Sequence, residues 1–80
     1  MLYEEKTDKI IKAFYVVYNK LGYGFLERVY QNALLIELSK MRFYCESEKP
    51  VRVYYEGEMV GDYRADIVVD HCIIIENKAA

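Results

Sequence analysis

The spacing of apolar positions changes once along this chain, from helical to strand-like, near Arg42. From Tyr3 to Leu21, the residues Ile10, Ile11, Phe14, Val17, Tyr18 and Leu21 recur on one side of a 3.6-residue period, which predicts an amphipathic helix. Gly22 then supplies the residue that closes it, and Lys20 in the last turn complements the helix dipole. Gly22-Tyr23-Gly24 is a tight connector. A second helix is predicted from about Phe25 to Met41, carrying Leu26, Val29, Tyr30, Ala33, Leu34, Ile36 and Leu38. Its apolar residues go most of the way round, so it is expected to be the more buried of the two.

Beyond Arg42 the period falls to two. Pro50 marks the start of a strand with Val51, Val53 and Tyr55 on one face, and a proline there implies an edge or strand-start position. Glu56-Gly57-Glu58 turns into a second strand from about Met59 to Val69, and Asp70-His71-Cys72 turns again into Ile73 to Lys78. The register of this last hairpin follows from its aliphatic residues. A three-residue loop at 70–72 pairs Val69 with Ile73, Ile67 with Ile75 and Asp66 with Glu76. One face then carries Ala65, Ile67, Val69, Ile73 and Ile75, and the other Asp66, Val68, Ile74, Glu76 and Lys78. A one-residue slip would exchange the faces, so aliphatic matching selects the register that brings the acids together.

The expected fold is α+β, with two N-terminal helices packed on a three-stranded antiparallel meander in a single domain, residues 1–80. Both faces of the last two strands are apolar beyond their charged residues, and two helices cover only one side. The chain is therefore expected to be either a piece of a longer domain or a protomer that pairs with a second copy through the uncovered sheet face.

Composition narrows the classes further. Hydrophobic residues make up 54% of the 80, a globular value. A chain this short hides only about 60% of its unfolded surface, so stability is modest. Eleven basic residues against 13 acidic ones give a net charge of −2, which excludes a global basic field for nucleic acid; polyanion contacts must come from local placement. Cys45 and Cys72 fit no metal-ligand or CxxC spacing and read as buried or semi-buried thiols in a reducing compartment. No apolar run approaches membrane-span length, and the start, Met-Leu-Tyr-Glu-Glu-Lys, lacks a signal peptide's core. A cytoplasmic protein without a membrane partner is expected.

The candidate chemistry lies in Asp66, Glu76 and Lys78. Two acids and a lysine on one patch of sheet are suited to holding a divalent cation and activating water. Each has a plainer reading when taken singly: Glu76 and Lys78 as a pair at a fraying strand end, Asp66 as the acceptor of a turn amide or of Arg64, and Glu27 as a first-turn acid favouring the helix dipole. His71, the single histidine, reads as a solvated loop residue.

In combination these residues resemble a family. Gly24-Phe25-Leu26-Glu27-Arg28-Val29-Tyr30 matches the GxxExxY signature, and Tyr63-Arg64-Ala65-Asp66 with Glu76-Asn77-Lys78-Ala79 resembles the YRAD and ExKA segments of the GxxExxY proteins. That family is similar to the PD-(D/E)XK nuclease superfamily. The resemblance implies a restriction-endonuclease-like core lacking its C-terminal elements, because such proteins continue with a further strand and helices after ExK. It implies Asp66 and Glu76 as ligands of Mg2+ or Mn2+, with the main-chain carbonyl of Asn77 as a third oxygen. Lys78 would orient the attacking water or stabilise phosphate charge, Glu27 would reach the site from the second helix, and Gln31, one turn on, would give support behind it. The implied activity is metal-dependent phosphodiester hydrolysis of DNA or RNA. The alternatives are a binding module that keeps the fold without turnover, for nucleic acid or protein, and a non-functional fragment.

Overall fold

The computed structural model describes residues 2–76 of the chain. Helix α1 spans Leu2–Leu21 and α2 spans Glu27–Lys40, followed by strands β1 (Cys45–Tyr55), β2 (Glu58–Val69) and β3 (Ile73–Ile75). The strands form one antiparallel sheet in the order β1-β2-β3. Glu4 and Glu5 in the first turn of α1 and Lys20 in its last both favour the dipole. Gly22 takes φ +74°, and its amide donates to the Tyr18 carbonyl at 2.9 Å, which closes the helix as expected.

The hairpin register agrees with the aliphatic matching: Val69 faces Ile73, Val68 faces Ile74 and Ile67 faces Ile75. Asp70 and His71 both have positive φ, and the Cys72 amide donates to the Val69 carbonyl at 3.0 Å, so the loop is a tight turn plus one residue. The β1–β2 turn is shorter than expected. Glu56 and Gly57 alone form it, with φ +49° and +83°, and Tyr55 pairs directly with Glu58.

Two strand boundaries differ from the sequence expectation. β1 starts at Cys45, not Val51, and Pro50 lies inside it opposite Arg64. The stretch before Pro50 shows no apolar alternation because its pairing is imposed by the buried end of β2, from Ala65 to Val69. Proline is tolerated there because β1 is an edge strand with a single partner. At the other end β3 stops at Ile75, so Glu76 follows the strand, and Asn77 and Lys78 lie outside the described residues.

The core lies between the helices and one face of the sheet. Ile10, Ala13 and Val17 of α1 and Tyr30, Leu34 and Leu38 of α2 meet Ile67, Val69 and Ile75, while Ala65 beside them is fully buried. The opposite face has no helix over it among the described residues. Val68, flanked by Glu46 and Ile74, is 5% exposed, but Ile74 is 46% exposed, so within residues 2–76 the helices cover one face of the sheet and leave the other bare, as expected. The distal part of the β1–β2 hairpin stands clear of the helices, with Tyr54, Tyr55, Met59 and Val60 exposed, which makes the molecule elongated at 44 × 30 × 17 Å.

Gly22 gives a local test of the helix-to-helix connection. A Cβ there would meet nothing within 4 Å, so the cost of Gly22→Ala is conformational rather than steric. The expected loss is about 1 kcal/mol, read as a lower urea midpoint at unchanged m-value.

Candidate functional site

Asp66 sits between Ala65 and Ile67, whose side chains are fully buried on the helix side of β2. Strand alternation therefore turns Asp66 to the opposite face, where it is half-buried. Ile67 faces Ile75, the last pair of the ladder, so Asp66 and Glu76 are the next residues along their two segments; Glu76 lies just past the end of β3 and is exposed. Lys78 lies outside the described residues, as does Asn77.

Glu27 is the first residue of α2 and is exposed, with no hydrogen bond or ion pair to Asp66 or Glu76 among the described residues. Its place is set by the other two members of its motif. Gly24 takes φ +102° in the connector. Tyr30, buried at 3% exposure, donates its hydroxyl hydrogen to the Gly22 carbonyl at 2.6 Å and accepts from the Phe25 amide at 3.4 Å. Its ring stacks on Tyr18 at 4.6 Å. Gly24 and Tyr30 therefore build the turn that begins α2 at Glu27, whose charge favours the uncapped helix N-terminus.

Gln31, one turn after Glu27 on the same side of α2, is the buried polar residue of the core at 6% exposure. Its Nε2 donates to the Glu48 carboxylate at 3.1 Å and to the main-chain carbonyl of Asp66 at 3.2 Å. Both partners are acceptors, so the amide has one sensible orientation. Glu48 is a residue that sequence reasoning missed. Starting β1 at Val51 left it in a loop, whereas the count that pairs Lys49 with Ala65 sets Glu48 opposite Asp66.

A second polar cluster fixes the hairpin that carries these acids. Asp70 accepts from the Tyr44 amide at 2.9 Å and pairs with Lys6 at 3.0 Å, and its own amide donates to the Tyr44 carbonyl at 2.7 Å. The Tyr44 amide and then Lys6 hold the Asp70 carboxyl below the usual range, and the same contact raises the Lys6 ammonium. A carboxyl depressed in the folded state stabilises the fold above its ordinary pKa of about 4, and that contribution disappears as pH falls through the folded value. The urea midpoint is expected to fall between pH 5 and pH 3 in the native chain, and Asp70→Asn flattens that fall. His71 is not simply solvated: it stacks on Tyr44 at 4.9 Å and its Nδ1 lies 3.4 Å from Glu46 Oε1. Cys45 is half-buried, with its thiol pushed up by burial, but Cys72 is exposed, contrary to expectation, because it ends the turn beside His71.

Among the described residues no group of three or more His, Cys, Asp or Glu stands close enough to hold a metal ion. The carboxylates of Asp66 and Glu76 match Mg2+ in kind, which takes one or two such oxygens and keeps several waters. No helix among the described residues is long and apolar enough to cross a membrane. Compared with protein families, residues 4–80 match the family model of the PD-(D/E)XK nuclease superfamily. Neither the curated proteins nor the solved structures give a match.

Proposed function

The chain belongs to the PD-(D/E)XK nuclease superfamily, and from that footing we propose that it is a divalent-metal-dependent nuclease of the GxxExxY type, hydrolysing phosphodiester bonds in DNA or RNA. The observation that supports this reading is the β2–β3 register, in which Ile67 faces Ile75, so that Asp66 and Glu76 are the next residues along their two segments. A bound Mg2+ or Mn2+ would supply Lewis-acid polarisation of the phosphate and acidify water.

The chain's own residues have separate tasks. Asp66 and Glu76 offer hard, anionic oxygens for the cation. Lys78, two residues beyond Glu76, is assigned the ammonium that would meet the charge developing on the phosphate. Glu27, at the start of α2, is assigned to holding water beside the site. Gln31 fixes the peptide at Asp66 from behind. Substrate arrives from the sheet face away from the helices, where Arg64 precedes Asp66 by two residues, at strand spacing, and Arg52 stands opposite Asp62 on the same face. These two guanidinium groups are the local basic placement that a chain of net charge −2 requires. Pairing of two copies through this face would cover the acids, so nucleic acid is the partner proposed for it.

The test is cleavage of end-labelled single- and double-stranded DNA and RNA in Mg2+ or Mn2+, with an EDTA control. Cleavage that requires metal supports the proposal. No cleavage of any of the four substrates in either metal would sink it.

A further inference from the structure

We infer that Glu48 is a positioning residue for Asp66, acting through Gln31; the inference rests on the nuclease reading and extends it to a residue outside the motifs. Five residues other than glycine have positive φ among the described residues: Arg42, Glu48, Glu56, Asp70 and His71. Four of them occupy turns, where such backbone is ordinary, and Glu48 alone stands inside a strand. Left-handed backbone in the middle of a strand is costly for a residue with a Cβ, so something must hold it.

What holds it is visible at both ends of the residue. The Glu48 carboxylate accepts from Gln31 Nε2 at 3.1 Å, and its main-chain carbonyl accepts from Arg64 Nη1 at 3.2 Å. Ser47 pairs with Ile67 and Lys49 with Ala65, but Glu48 is left out of the ladder directly opposite Asp66. At that gap the Asp66 carbonyl accepts from the same Gln31 nitrogen at 3.2 Å. Three elements, α2, β1 and β2, are therefore tied together at one buried amide. A charged acceptor orients that amide more strongly than a neutral one, and the amide in turn fixes the peptide from which the Asp66 side chain projects. Because Gln31 follows Glu27 by one helical turn, the same tie sets the start of α2 against β2.

The arrangement separates stability from positioning, which makes it testable. Glu48→Gly accepts φ +53° without strain but leaves Gln31 without its carboxylate. Glu48→Asn also tolerates this backbone and is too short to reach. Glu48→Gln keeps a side-chain oxygen at the right length. The probe is Mn2+ alone, with binding read from water-proton relaxation and unfolding read by heat on the same samples. Glu48→Gly and Glu48→Asn are expected to weaken Mn2+ binding about tenfold, as loss of a group behind a metal ligand does, with no drop in unfolding temperature for the glycine variant. Glu48→Gln is expected to restore binding to within about twofold of the native chain.

Native Mn2+ affinity in Glu48→Gly and Glu48→Asn overturns the role of Glu48 while leaving the nuclease reading in place. Loss of binding that tracks loss of thermal stability through all three variants, with no rescue by glutamine, makes Glu48 structural and also overturns it. A native chain that takes up no Mn2+ removes the metal site itself, and both proposals go with it.

Discussion

Asp66→Asn is expected to lower metal-dependent cleavage by about a thousandfold or more, a barrier increase of roughly 4 kcal/mol. The substitution keeps the shape of the side chain and one oxygen, but removes the negative charge that a hard cation requires. Folding is expected to survive. The packing at this point is carried by Ala65 and Ile67, which point into the core on the other side of the strand, while residue 66 faces away from the helices. Circular dichroism and the urea midpoint check that the variant is folded before its rate is read. Lys78→Ala provides the contrast. It removes the charge proposed to act on substrate rather than on the cation, so Mn2+ binding is expected to stay near native while the rate falls by about a hundredfold to a thousandfold. A variant at Asp66 that cleaves at the native rate would show that this acid is a surface charge and nothing more.

The features on which this prediction depends differ in how far they could be read from the chain. The hairpin register was legible because five aliphatic residues, Ala65, Ile67, Val69, Ile73 and Ile75, demand one buried face, and only one loop length supplies it. The closing of α1 at Gly22 was legible for an equally local reason, the conformational freedom of glycine at φ +74°. The first half of β1 was not. Cys45 to Lys49 carries a polar pattern without alternation, and it becomes a strand because β2 needs a partner there. Tertiary pairing overrides local propensity in such a stretch. Glu48 was hidden twice, first by that missed strand and then by a backbone conformation set by a glutamine on a helix 17 positions earlier. The motif tyrosine was visible as a motif, but its work was not. Only the fold shows that Tyr30 fastens the connector that begins α2 at Glu27.

Leu34→Ala is expected to have the largest effect on stability, about 3 kcal/mol. Leu34 is fully buried in α2 with Leu38 beside it, and both pack on the sheet face of Ile67 and Val69. A domain of this length has only about 4–12 kcal/mol of stability in total, so the variant moves close to its unfolding transition at ordinary temperature. Equilibrium urea denaturation measures the shift. Ile74→Ala is the matching change on the other face. Ile74 is 46% exposed, and nothing among the described residues covers it from above. The expected cost there is within about 0.5 kcal/mol, the ordinary range for a surface position. The comparison also decides what occupies the outer face in solution. If Ile74→Ala costs as much as Leu34→Ala, and the cost vanishes on dilution, a second copy buries that face. The acids would then be closed to a polymer substrate. A small, concentration-independent cost leaves the face open to the nucleic acid for which Asp66 and Glu76 are proposed.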